Sequence, residues 1–353
     1  MAGAAAAPQR VAAPQRGRPS GRAVLKFGVC SLRAPQRLAR RGGGAGGAGA
    51  TDASADSQSA TSLPILDAAA ARGDPGVFLF RHFAVRHAAG AHKVGTDAML
   101  LGAWAAPSAA ERRILDVGAG TGVLALMAAQ RAASGSAVDA VEADAAAAAQ
   151  AAANFAAAPF RDVSLTAHAA RFQEFAVAAP GGRYDLLLSN PPFFMGGTHS
   201  SGAPAAAARH AGEHSLPSAD LAVGAAALLA PGGRLCVVLP AGAEAAAFCG
   251  AAATAGLAVA RRCAVRTRAD DAAPKRCLLE LRAAPPGGAA PAAAAAEEEE
   301  RLAVQVARGG ADSGGGGGGG QPAYTAEYLA LTAPFHHPDY VRRWSAGGGR
   351  GGQ

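Results

Sequence analysis

The sequence predicts an α/β domain built on a mainly parallel, seven-stranded sheet flanked by helices, and three observations carry that expectation. Short apolar runs alternate with helical stretches of about 10–15 residues, the pattern of βαβ units. The first run, "RILDVG", ends in a glycine loop that opens a helix, the place where an α/β sheet binds a nucleotide. Another, "YDLLLSNPPFF", stops at two adjacent prolines, which cannot donate to a sheet ladder.

The elements follow in order. "VFLFRHFAVRH" (77–87) predicts a short hairpin, and "KVGTDAMLLGAWAA" (93–106) a loop entering a helix. Strands are expected at 113–118, 137–144, 162–168, 184–190, 234–240, 257–265 and 276–282. Helices are expected at 121–131, where apolar residues recur at helical spacing, across the alanine run 145–153, and at 218–230 before Pro231 and Gly232. Together these define one domain over 76–283, preceded by a leader and linker at 1–75. Ala/Pro/Glu and polyglycine tracts occupy 284–322 and flank "RLAVQVARGG", which can add a small edge strand. A terminal helix is expected over 323–340 and a disordered tail over 341–353.

The formal charge of +7 suggests a nucleic-acid partner until it is mapped along the chain. Residues 1–50 hold nine of the 33 basic residues and no acid, which leaves 24 basic against 26 acidic residues, a net of −2. The basic character therefore belongs to the leader. Rich in Ala, Arg and Gly and without an apolar core segment, that leader matches an organelle transit peptide better than a secretory signal. Chloroplast and mitochondrion are not separated by it, and a cytoplasmic location is the alternative. The five cysteines form no C-x-x-C pair and have no histidine at ligand spacing, so no metal site is expected. Cys236 and Cys277 lie in apolar strand-like runs and read as buried thiols. No stretch resembles a membrane span of about 18 apolar residues.

The chemistry concentrates in two loops. In "DVGAGTG", Gly118, Gly120 and Gly122 admit a close ligand, but Val123 stands where the dinucleotide pattern G-x-G-x-x-G needs its third glycine. The acid opening the loop, Asp116, suits a cofactor with an ammonium group and no pyrophosphate, namely S-adenosylmethionine. Glu142, 20 residues beyond Gly122, can accept both ribose hydroxyls, with Asp144 a close competitor. In "NPPF", the prolines remove N–H donors and leave acceptors, so Asn190, Pro191, Pro192 and Phe193 can receive an exocyclic amine and stack its base.

These motifs, with the upstream "HKVGTDAMLLGAWA", resemble the bacterial tRNA(Val) adenine N6-methyltransferases, class I Rossmann-like enzymes that modify the purine 3′ of the anticodon. The similarity extends through "FRHFAVRH", "DAVEADAAAAAQAAANF", "GGRLCVVLP" and "YTAEYLALT", in the same order over 77–335. It implies that Asp116, Gly118, Gly120, Gly122 and Glu142 hold S-adenosylmethionine. It further implies that Lys93, Thr96 and Asp97 form the N-terminal wall of the pocket, that residues 190–193 are catalytic, and that the partner is tRNA. A monomer is expected. One departure stands out: "ARFQEF" places Arg171 where the family often has an adenine-contacting acid, so that either Glu174 substitutes or the cofactor adenine relies on packing.

Two other readings use the same N-P-P-aromatic pocket: rRNA guanine N2-methylation and protein glutamine N5-methylation; "KVGTD" disfavours both. A non-catalytic RNA-binding or assembly protein on this fold is a third. The basic cluster Arg261, Arg262, Arg266, Arg268, Lys275 and Arg276 is expected either to meet RNA phosphates or to be a solvated strand surface.

Overall fold

The computed structural model describes residues 64–67, 74, 76–87, 94–178, 184–191, 216–283, 299–307 and 323–345, with side chains to 341. A hairpin, β1 (Val77–Leu79) and β2 (Ala84–Arg86), is followed by α1 (Thr96–Ala105). The alternating core runs β3 (Arg113–Val117), α2 (Val123–Ala129), β4 (Ala137–Glu142), α3 (Ala145–Ala157), β5 (Ser164–Ala169), α4 (Phe172–Ala178) and β6 (Tyr184–Ser189). It continues through α5 (Ser218–Leu228), β7 (Leu229–Pro240), α6 (Ala243–Thr254), β8 (Leu257–Arg268) and β9 (Arg276–Ala283). The chain closes with β10 (Glu300–Gln305), α7 (Ala326–Thr332) and α8 (Pro338–Ser345). Helix α8 runs into the span where the sequence suggested a tail.

The main sheet has eight strands in the order β10-β8-β9-β7-β6-β3-β4-β5, one more than the expected seven. The added strand is the edge strand from "RLAVQ", which pairs parallel to β8. Every pairing is parallel except those of β9, antiparallel to both β7 and β8. From β3 the chain steps to β4 and β5 on one side and to β6 and β7 on the other, so a topological switch lies between β3 and β6.

The strands are apolar on both faces because both faces are covered. Leu186 and Leu188 of β6 join Ile114, Leu101 and Met127 in one core, while Leu187 joins Leu115, Leu235 and Phe248 in the other. Helix α1 is buried from Ala98 to Ala105 and is accordingly apolar all round. Gly102 lets it approach α2, since a Cβ there would lie 2.5 Å from the Met127 sulfur. Cys236, Cys263 and Cys277 are buried, and burial pushes the Cys236 and Cys263 thiols up to about 12, which makes them inert packing groups. Among the described residues, no cluster of His, Cys, Asp or Glu could hold a metal ion, and no helix is long and apolar enough to cross a membrane.

Candidate active site

The switch point sets the two motifs side by side. Val117 of β3 is in register with Ser189 of β6, and the Ser189 hydroxyl donates to the Val117 carbonyl at 2.9 Å. On its other side Val117 is in register with Val141. One residue further along each strand stand Asn190, Gly118 and Glu142, a row across the carboxyl edge of the sheet. Asn190 is half-buried and Pro191 buried. Pro192, Phe193 and Lys93 lie outside the described residues.

The glycine loop turns on three left-handed residues, Gly118, Gly120 and Gly122, with φ of 69°, 55° and 80°. Their roles differ. A Cβ added at Gly118 or Gly120 would meet nothing within 4 Å, so these two face open space. A Cβ at Gly122 would lie 2.5 Å from the Phe155 ring, so that glycine lets α3 pack against the loop rather than baring backbone to a ligand. The two substitutions should therefore separate. Gly122→Ala is expected to destabilise the fold by about 1–3 kcal/mol through overpacking and left-handed strain. Gly120→Ala should cost only about 1 kcal/mol in stability yet weaken cofactor binding. Denaturant midpoints and S-adenosylmethionine titrations of both variants check this.

The acids sort themselves by partner. Asp144 caps α3, its Oδ1 accepting from the Ala147 N–H at 2.8 Å. Glu142 instead faces the loop: Oε2 accepts from the Gly120 N–H at 2.8 Å and Oε1 from the Asp144 N–H at 2.9 Å. Each oxygen keeps a second lone pair, enough to accept a ribose hydroxyl. Asp116 is fully buried, with Oδ2 accepting from the Ala125 N–H at 3.0 Å and Oδ1 without a partner among the described residues. Desolvation pushes its pKa up to about 7, against the Ala125 hydrogen bond and with the help of the Glu142 charge.

Thr96 and Asp97 open α1, Thr96 exposed and Asp97 half-buried. Asp97 is engaged with a residue of the chain itself: its Oδ2 accepts from Arg276 Nε at 2.8 Å. Arg276 is in register with Pro240 at the carboxyl end of β7, so this ion pair fixes α1 at the same sheet edge, on the β7 side of Asn190. Arg171 is exposed just beyond β5, next to Ala170, whose N–H donates to the Glu142 carbonyl at 3.0 Å. Glu174 is exposed in the first turn of α4. Sequence reasoning missed Asn154, a buried amide in α3 that reaches the glycine loop; an amide of low helix propensity inside an alanine helix was the available signal.

The residues present fit S-adenosylmethionine. The unpartnered Asp116 oxygen offers negative charge, Gly118 and Gly120 leave a cradle that a Cβ would fill, and Glu142 retains acceptor capacity. A family model described as "Methyltransferase small domain" matches residues 89–248. The chain is 46% identical over 163 residues to a tRNA1(Val) (adenine(37)-N6)-methyltransferase of Musicola paradisiaca, covering 46% of this chain and 64% of that protein. It is 44% identical over 202 residues to that of Edwardsiella ictaluri, covering 57% of this chain and 79% of the relative. With that of Tolumonas auensis the identity is 40% over 210 residues, covering 59% and 84%.

Fold and site together define a class I methyltransferase that uses S-adenosylmethionine. More narrowly, the chain belongs to the family of the tRNA1(Val) (adenine(37)-N6)-methyltransferases.

Proposed function

We propose that this chain methylates N6 of the adenine 3′ of the anticodon in tRNA. The observation that carries the reading is the row of Asn190, Gly118 and Glu142, which puts an amine acceptor beside a loop suited to the cofactor. When bound, S-adenosylmethionine supplies an activated methyl group. Glu142 accepts the ribose hydroxyls, Asp116 faces the ammonium, and the glycines allow close approach. Asn190 orients the adenine amine through its side-chain oxygen. A strong base is not required, because the amine proton becomes acidic only as the new bond forms, and rate then comes from alignment. Guanine N2 or glutamine N5 transfer would use the same acceptor, but the relatives from Musicola paradisiaca and Edwardsiella ictaluri are named for adenine.

The basic cluster narrows on inspection. Arg261 stacks on Trp104, 3.9 Å from the ring centroid, and its Nε lies 2.8 Å from Glu300, while Arg276 holds Asp97. Arg266, Arg268 and Lys275 belong to the β8–β9 hairpin at the same sheet edge as Asn190, and no ion pair within the described residues engages them. These three are the proposed contacts to tRNA phosphates. Replacing all three by alanine should raise KM for tRNA by about tenfold or more and reduce the salt slope by roughly one per contact. S-adenosylmethionine affinity should not change; unchanged tRNA binding would remove the surface from the proposal.

The basic, acid-free first 50 residues support action in an organelle, chloroplast or mitochondrion; a monomer is the expected state. A fluorescent fusion of the leader reports the address, and light scattering the mass. The deciding experiment for the function is nucleoside mass spectrometry of organellar and cytosolic tRNA after gene disruption. Loss of N6-methyladenosine from one tRNA is expected; an unchanged level in every tRNA rules the proposal out.

A further inference from the structure

Asn154 sits in α3, away from both sequence motifs, at 3% exposure. Its amide is fully engaged. Oδ1 accepts from the Arg86 N–H at 3.0 Å and from Gln150 Nε2 at 3.4 Å. Nδ2 donates to the Arg86 carbonyl at 3.1 Å and to the Thr121 carbonyl at 3.0 Å. Bonding both the N–H and the C=O of Arg86, the side chain behaves as a neighbouring strand would, on the edge of β2 that β1 leaves open. Its remaining proton holds the glycine loop one residue before the left-handed Gly122. The hairpin it grips is also fixed to the C-terminal segment, where the Arg81 N–H donates to the Phe335 carbonyl at 2.8 Å.

We infer that Asn154 is a positioning residue that sets the glycine loop for the cofactor and couples that loop to the β1–β2 hairpin. Thr121 has a backbone acceptor that must be satisfied where it is buried, and Asn154 supplies a donor that also depends on the position of β2. Displacing the hairpin therefore moves a hydrogen bond of the loop. This rests on the reading that the loop holds S-adenosylmethionine.

Two variants separate positioning from plain stability. Asn154→Asp keeps the acceptor toward the Arg86 N–H and loses both donors; Asn154→Ala loses everything. In each, the dissociation constant for S-adenosylmethionine should rise by about tenfold, the equivalent of one lost hydrogen bond, while kcat at saturating cofactor is largely kept. Hydrogen exchange at the Gly120 and Gly122 amides should quicken in both variants, and at the Arg86 amide chiefly in Asn154→Ala. Amides of Leu187 and Leu235 in the sheet serve as controls. Faster exchange spread evenly through the sheet, or unaltered loop exchange with unaltered cofactor affinity, would overturn the inference. Should the unmodified chain fail to bind S-adenosylmethionine, the cofactor reading falls instead, and the exchange data still report the coupling.

Discussion

Asn190→Ala is expected to lower kcat for methyl transfer by about 10²–10³-fold, the usual loss when one preorganised polar contact to the reacting centre is removed, while S-adenosylmethionine binds within a few-fold of its normal affinity. The split follows from position. Asn190 extends β6 one residue past Ser189, whose hydroxyl is tied to Val117, so its backbone is anchored independently of its own side chain. Truncation then removes an acceptor without moving the loop at 118–122. Asn190→Asp retains an acceptor and should keep more activity than the alanine variant. Equilibrium titration and single-turnover rates check both. A large loss of cofactor binding in Asn190→Ala would reassign Asn190 to the architecture of the sheet edge.

What the sequence disclosed was local, and what it hid was long-range. The strands β3, β4 and β6 and the turn between β3 and α2 were legible because each carries its own apolar run and its own terminator. Glu142 and Asp144 were close competitors as acids near a strand end, with Glu142 preferred; the capping bond of Asp144 to Ala147 and the bond of Glu142 to Gly120 divide them. Asp97 sits in a motif that suggested a pocket wall, yet it meets Arg276 across 179 residues, a partner no local pattern reveals. Gly122 looked like its two neighbours because the ring it accommodates, Phe155, arrives from the next helix. The eighth strand was legible as a small edge strand, but its partner was not, since β10 stands between low-complexity tracts and finds its register against β8. Arginines that read as one basic cluster divide once Arg261 is seen over Trp104 and Arg276 against Asp97.

The affinity for S-adenosylmethionine should fall steeply as pH drops below about 7, because Asp116 must be ionised to face an ammonium group. Its carboxyl, ordinarily at 3.8, is pushed up to about 7 in the fold, chiefly by desolvation. A folded-state pKa above the unfolded one means that the folded chain holds this proton more tightly. The contribution of the protonated group to stability is therefore complete below about pH 3.8 and is lost as pH rises through about 7. Above that, the chain carries a buried carboxylate with one oxygen unpartnered, a strained charge that a cationic ligand relieves. Binding and deprotonation are thus linked: the ligand draws the Asp116 pKa down, and binding near pH 6.5 releases a proton. The dissociation constant should approach a tenfold rise per pH unit below the Asp116 pKa, the limit for a single obligatory ionisation. Calorimetry in buffers of different ionisation enthalpy measures the released proton directly, and Asp116→Asn should abolish both the release and the pH dependence. Flat affinity between pH 6 and 8 with no proton released would mean that Asp116 supports the turn into α2 through Ala125 and does not meet the cofactor.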